Sequence, residues 1–359
     1  MDNIDFALLD RFQRGLPLDP RPYAVIGSAL GIGECDVIER LTRLAAGGVV
    51  RRVGAVLTPR HIGAGMLVAM AVPKRRLPDV AARVSALAAV NHGYARSHRY
   101  NLWFVVTAPD AARVGETVRD AEKFAGVPAL RLSLIEAYHL DLGFSLGAAT
   151  GGTAPARAEG AACALVPSPC ERALLGELQE GLPLVARPYA ALARAAGVSE
   201  RAVCDILGGW LERGTIRRLG IIVDHHRLGY RANAMVVWDV PDHGIAALGA
   251  RVAATGLTTL CYRRTRSAPE WPYSLYCMLH GRTRGAVRAQ LERLEAACGL
   301  DAYPSQVLFC VRRYKQRAAR YVETSEHGRD RPRDRQPAAR RVSGRGVPVS
   351  RDRAGIGPR

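Results

Sequence analysis

The chain has 359 residues, 48% of them hydrophobic, and a formal charge of +18. That length and apolar content supply more than one buried core. No apolar run reaches the roughly 20 residues of a membrane span, and the acidic start MDNIDFALLDRF lacks the basic-then-apolar build of a secretion signal, so a cytoplasmic protein is expected.

The chain is an internal duplication. Gly15-Leu16-Pro17-Leu18 returns as Gly181-Leu182-Pro183-Leu184, Arg21-Pro22-Tyr23 as Arg187-Pro188-Tyr189, and Arg51-Arg52-Val53-Gly54 as Arg217-Arg218-Leu219-Gly220. The offset is the same in all three pairs, so each copy is a whole domain pair rather than a short repeat unit. A first helix is expected over 4–14, with Ile4, Leu8, Leu9 and Phe12 at helical spacing, and its counterpart over 171–179. Residues 23–30 and 34–46, broken at Gly31, read as a helix-turn-helix. The second copy matches around Gly197, with Ser199 as an N-cap. Runs 49–57 and 215–223 read as winged extensions.

A ferredoxin-like β-α-β-β-α-β order follows in each copy. In the first, strands are expected over 65–72, 92–107 (bent or a hairpin) and 130–138, with helices over 77–87 and 111–124. In the second, strands are expected over 232–239, 260–280 and 306–314, with helices over 244–254 and 284–297. The expected class is α+β. The helix-turn-helix domains span 1–60 and 171–226, and the ferredoxin-like domains 61–145 and 227–322. A Gly-, Ala- and Pro-rich linker occupies 146–170, and a basic tail expected to be disordered occupies 323–359. Residues 317–359 hold twelve arginines against five acids, yet the remainder of the chain stays basic, which favours anionic partners: nucleic acid or polycarboxylates. Eight cysteines are scattered without a CxxC pair, which argues against a zinc ribbon or thiolate cluster and for a reduced compartment.

Two stretches concentrate chemistry. AVNHGYARSHRYNLWFV, residues 89–105, sets His92, Tyr94, Arg96 and His98 two apart, so that on one strand they would share a face. LCYRRTRSAPEWPYSLYCMLHG, residues 260–281, repeats the spacing with Tyr262, Arg264 and Arg266. Cations, imidazoles and phenols on one face beside indoles suit a large, flat, anionic ligand. They form either two related sites or two walls of one. His225 and His226 read as turn residues. Arg51-Arg52 and Arg217-Arg218 read as strand starts touching solvent or the neighbouring domain.

A helix-turn-helix followed by a ferredoxin-like domain is the layout of the Lrp/AsnC regulators. Within that superfamily the chain resembles the sirohaem decarboxylases, in a fusion of the two subunit types of haem d1 biosynthesis. The resemblance rests on the YxRxHxxNLW run from Tyr94 to Trp103. It rests too on Cys261-Tyr262-x-Arg264 with Trp271-Pro272-Tyr273-x-Leu275-Tyr276-x-Met278-x-His280-Gly281, and on the paired LPLxxRPY openings. It covers about residues 4–145 and 172–322, and Ser274 stands where the family usually has Asn. The resemblance implies loss of two acetate carboxyl groups from sirohaem as carbon dioxide, giving 12,18-didecarboxysirohaem. No cofactor is required, because the substrate carries its own iron. Arg96, Arg264 and Arg266 are then expected to pair with carboxylates. Asn101, Trp103, Tyr262, Trp271, Tyr273 and Tyr276 would complete the substrate pocket. His98 is the first candidate for the acid that protonates the carbon left behind, with His92 and Tyr94 as alternatives or orienting groups and His280 as a helper. His98 could instead bind the substrate iron axially.

The competing classes are a DNA-binding regulator and a regulator that senses haem without reacting. Against DNA, the second helices of the two helix-turn-helix units carry Glu34, Asp36, Glu39, Glu200, Asp205 and Glu212. Acidic residues there repel phosphates. These modules are expected to be structural, and self-association through the Lrp-like domains is expected.

Overall fold

The computed structural model describes residues 1–140 and 165–321; most of the expected linker and the whole of the expected tail lie outside them. The first copy opens with α1 (Asn3–Phe12), α2 (Pro22–Leu30), α3 (Glu34–Ala46) and β1 (Val50–Leu57). Asp2 caps α1, its side chain accepting from the Asp5 backbone while Asp5 answers in kind. Between α2 and α3, Gly31 takes φ +70°, which costs glycine nothing and lets the chain turn sharply. A short α4 (Pro59–Ile62) leads into β2 (Ala64–Met70), α5 (Leu77–Ala86), β3 (Val90–Arg96), β4 (Leu102–Ala108), α6 (Ala111–Ala125) and β5 (Ala129–Leu140). The second copy supplies α7 (Pro169–Glu180), α8 (Tyr189–Ala196), α9 (Glu200–Glu212) and β6 (Ile216–Val223). It continues with β7 (Ala232–Trp238), α10 (Ile245–Ala254), β8 (Leu260–Arg264), β9 (Leu275–Gly281), α11 (Arg284–Cys298) and β10 (Ser305–Gln316).

The two helix-turn-helix units interlock. β1 pairs antiparallel with β6, and Gly54 faces Gly220 at the middle of the ladder. The contacts around it are reciprocal. The Leu16 amide donates to the Leu219 carbonyl and the Leu182 amide to that of Val53. Tyr23 donates its hydroxyl to the Pro183 carbonyl, and Tyr189 donates to that of Pro17. Gly220 is required at this seam, because a Cβ there would lie 2.3 Å from the Gln13 carbonyl oxygen. One apolar cluster, from Leu8 through Leu41 and Leu178 to Trp210, runs through both units. The expected wings are therefore two halves of one shared two-stranded sheet.

The eight remaining strands close into a barrel in the order β10-β3-β4-β2-β5-β8-β9-β7. The last strand of each copy crosses to the other: β5 pairs with β8 and β10 with β3. Closure leaves no free edge among these eight strands. Outside, α5 and α6 cover one half over a cluster containing Val68, Phe104 and Val118, while α10 and α11 cover the other over Trp238, Leu279 and Leu294. The interior holds a separate cluster that draws on both copies. The expected long strands over 92–107 and 260–280 are each two strands with a connection between them. Among the described residues no helix is long and apolar enough to cross a membrane.

Candidate active site

Strand alternation decides which side chains enter the barrel. On β3, Tyr94 lies opposite Trp103 and His92 opposite Val105, both of which belong to the interior cluster. Cross-strand partners share a face, so His92, Tyr94 and Arg96 point inward together. On β8 and β9, Tyr262 faces Tyr276, and Met278 lies two positions before His280 on the same inner face. A bulge between Val90 and His92 resets the alternation, so that Val90 still packs on the helix layer.

The alternation ends sooner than the sequence suggests, and this separates His98 from His92, Tyr94 and Arg96. The Arg96 amide donates to the Asn101 carbonyl and closes a hairpin. His98 sits in that hairpin, its Nδ1 accepting from the Tyr100 amide, stacked on Tyr100 and edge-on to Trp271 at 5.4 Å. Asn101 is occupied too: its amide both accepts from and donates to the Val72 backbone. Trp103 and Trp271, both 1% exposed, meet at 5.3 Å. Their indole N–H groups donate to the Tyr100 carbonyl at 2.7 Å and the Tyr276 hydroxyl at 2.6 Å. With Tyr273 at 4.8 Å from Trp271 they fill one end of the interior. Arg266 lies beyond the end of β8 and does not extend the Tyr262–Arg264 face. It bonds Asp242 at 2.6 Å, Asp239 at 3.5 Å and the Val240 carbonyl. Ser274 joins this tie by donating to the same carbonyl at 3.0 Å.

The other end faces the β1–β6 sheet, and the polar groups gather there. Arg96 is 7% exposed, with its guanidinium on the Leu308 carbonyl at 2.9 Å and the Met278 sulfur at 3.8 Å. Its buried Nε donates to nothing, and among the described residues no carboxylate pairs with it. The Tyr94 hydroxyl lies 3.5 Å from His92 Nδ1. Asp224, just after β6, accepts from Arg51 at 2.7 Å and from Arg313 at 3.4 Å. His226, His225 and His280 follow one another at ring separations of 4.3 and 4.9 Å, and His280 Nδ1 lies 3.0 Å from the Thr259 hydroxyl. Arg51, Asp224, His225, His226 and Arg313 escaped the sequence reading as site residues. Their signals were the recurring double arginine and the adjacent histidines. Only the β1–β6 pairing and the crossing of β10 bring these residues to β3.

The environment keeps these imidazoles neutral. Burial, reinforced by Arg51 and Arg313, takes His92 down to about 4. Burial and His226 take His225 down to about 4 as well. Burial, then His225 and Arg96, holds His280 well below the usual range. Burial pushes the Tyr94 phenol up to about 12. Asp224 is lowered to about 2 by its two arginines, against the upward push of burial. An unfolded chain takes protons on His92 and His225 near pH 6.5, the folded chain only near 4. Stability is therefore expected to fall as pH drops from about 6.5 to 4, with Asp224 adding its loss only below that interval. Thermal melts at pH 7 and pH 5 will show a drop that a His92→Gln/His225→Gln variant reduces.

A family model described as the AsnC-like ligand binding domain matches residues 62–138 and 227–315, and one described as the siroheme decarboxylase NirDL-like HTH domain matches 5–51 and 171–217. The siroheme decarboxylase NirDL subunit of Paracoccus denitrificans is 40% identical over 90% of this chain and 99% of its own length. The NirD subunit of Pseudomonas aeruginosa is 47% identical over 41% of this chain and 99% of its own. A crystal structure of the siroheme decarboxylase NirDL superposes with a TM-score of 0.66 at 26% identity, covering 90% of this chain and 95% of that one. A second, in complex with an iron-uroporphyrin III analogue, gives 0.63 at 25% identity over 89% and 93%.

Proposed function

The chain belongs to the sirohaem decarboxylases in their fused, two-copy form, a family of carboxy-lyases, and from that we propose that it converts sirohaem to 12,18-didecarboxysirohaem for haem d1 with no cofactor beyond the substrate's own iron. The observation that carries the site assignment is Arg96: a buried guanidinium with a free N–H and no acidic partner among the described residues, in an interior shared with imidazoles. A buried cation without a counter-ion is costly. A substrate carboxylate supplies the counter-ion.

Each step is R–CH2–COO⁻ + H⁺ → R–CH3 + CO2. The carbon–carboxylate bond breaks, its electron pair passes into the conjugated ring, and a proton on the remaining carbon completes the methyl group. Arg96 holds a substrate carboxylate, while Arg51 and Arg313 are tied to Asp224 behind the imidazoles. His280 is the acid, and His225 and His226 reload it from the outer side. His92 and Tyr94 orient the bound edge. The imidazoles are neutral in the empty site, and an arriving polyanion raises their proton affinity. The acid is thus charged when substrate is present. Trp103, Trp271 and Tyr273 form the apolar end of the pocket. His98, at that end, is the alternative acid or axial ligand of the substrate iron.

The acids on the helix-turn-helix units speak against DNA. On α3, Arg40 pairs with Asp2 and Asp5 at 2.7 and 2.8 Å, and Arg43 with Asp5 at 2.9 Å. On α9, Arg201 pairs with Asp205 at 3.3 Å. These cations are already matched, which leaves little for phosphates. Anaerobic incubation with sirohaem, read by mass spectrometry, tests the proposal: loss of two carbon dioxide units is expected. A bound macrocycle of unchanged mass would make the protein a sensor, and no binding would return it to DNA.

A further inference from the structure

The duplication builds the polar end of the barrel twice, and the two versions differ in the residues set around a shared tyrosine–arginine pair. Strand register gives the correspondence. Tyr94 lies opposite Trp103 as Tyr262 lies opposite Tyr276, and His92 opposite Val105 as Leu260 opposite Met278. Arg96 and Arg264 end their strands alike, and Arg51 and Arg217 open the repeated double-arginine motif. The second cradle also keeps a buried arginine. Arg264 reaches the Leu132 carbonyl at 2.9 Å, lies 5.0 Å over the Tyr262 ring, and has a buried Nε without an acceptor. Burial lowers Arg217 to about 10, in the neighbourhood of the Tyr262 and Tyr321 phenols.

The second cradle lacks counterparts of His92, His280 and the Asp224–His225–His226 run; its own histidines stand elsewhere, His61 near Arg217 with its ring 3.4 Å from the Thr215 hydroxyl and His139 opposite Cys261. Leu260 replaces His92, and Thr107, two positions past Val105 on β4, replaces His280. At the repeat offset, Thr58 replaces Asp224, Pro59 replaces His225 and Arg60 replaces His226. On the crossing strand, Ala137 faces Tyr262 where Arg313 faces Tyr94. The Tyr94–Arg96 pair is thus duplicated as Tyr262–Arg264, while the run of His280, His225 and His226 with Asp224 and Arg313 stands on the Arg96 side only.

We propose that both decarboxylations take place in the Arg96 cradle, and that the Arg264 cradle is a clamp for carboxylates that are not reacting, so that the macrocycle leaves and re-enters turned between the two losses. This rests on the decarboxylase reading above. The two acetates occupy different points on a rigid ring, and one imidazole set addresses one of them at a time. The clamp fixes which edge faces the acid in each visit. Each visit consumes one proton and releases one carbon dioxide, so the two visits balance without an oxidant or reductant.

Mono- and didecarboxylated products of wild type, His280→Gln and Arg264→Met, followed by mass spectrometry, test this. In His280→Gln both losses slow together. In Arg264→Met both losses persist, and the sirohaem concentration at half-maximal rate rises by about tenfold or more, as for loss of a buried charge partner. Accumulation of the monodecarboxylated product in Arg264→Met with the first loss at the wild-type rate would overturn the proposal, as would its accumulation in His280→Gln. The wild-type protein provides a second measurement independent of variant folding. Isotopically labelled monodecarboxylated product, added during turnover of unlabelled sirohaem, is expected to enter the didecarboxylated pool. Its exclusion would mean that the macrocycle never leaves. Absence of any carbon dioxide loss in wild type would instead sink the decarboxylase reading itself.

Discussion

His280→Gln is expected to lower kcat by about 10²- to 10⁴-fold with substrate affinity little changed, the usual range for removing a positioned acid. Glutamine keeps a polar amide near the Thr259 hydroxyl, which lies 3.0 Å from His280 Nδ1 in the native chain, but it cannot deliver a proton. The pH profile separates a catalytic role from a structural one. The groups facing His280 are His225 and His226 after β6, Arg96 on β3 and Thr259 before β8, with Asp224, Arg51 and Arg313 behind the imidazoles. A wild-type rate that rises with acidification while the fold holds, and a variant rate that does not, identify the acid. His98→Ala serves as the counter-test. It is expected to keep most of its turnover, because the hairpin places His98 against Trp271 rather than beside Arg96. Loss of turnover in His98→Ala at normal affinity, with His280→Gln active, would move the acid to His98.

Arg96→Met is expected to act with opposite signs on stability and on binding. In the empty protein Arg96 is a buried cation whose Nε has no acceptor, and burial lowers its proton affinity. A thioether of similar length removes that cost, so the melting temperature of the free protein is expected to rise. Binding loses the other half of the same balance. Without Arg96 a substrate carboxylate enters a dry interior with no fork to receive it, and the loss for a buried charge pair is about 2–5 kcal/mol, roughly two to three orders of magnitude at mid-range. Calorimetric melting together with titration by an iron-uroporphyrin reads both. A variant that melts lower and binds normally would show that Arg96 serves the fold alone.

Much of this protein is legible in its sequence, for a physical reason. Helical spacing, glycine turns and period-two alternation are local, and the repeat at a fixed offset multiplies each weak signal by two. The helix-turn-helix units, the β-α-β-β-α-β order and the grouping of His92, Tyr94 and Arg96 all follow from such short-range regularities. The alternation rule fails at His98 and Arg266, because one backbone bond, from the Arg96 amide to the Asn101 carbonyl, ends the first strand. A corresponding bond from the Arg264 amide to the Ser274 carbonyl ends the second. Nothing in the spacing of side chains announces where a hairpin closes.

The tertiary structure decided the composition of the site. Asp224 reaches Arg51 through the ladder between β1 and β6, and Arg313 comes beside Tyr94 because β10 crosses to the other copy. The same crossing places His280 and Arg96, 184 positions apart in the chain, in one interior. Contacts at such separations depend on which strand edges meet. Edge pairing is set by the burial of whole faces rather than by any residue near the contact. The sequence by itself determined two copies, their elements and the arginine–tyrosine framework common to both. Only the closed barrel, by bringing β10 and the β6 end to β3, decided that His225, His226 and His280 of the second copy lie together with His92 and Arg96 of the first.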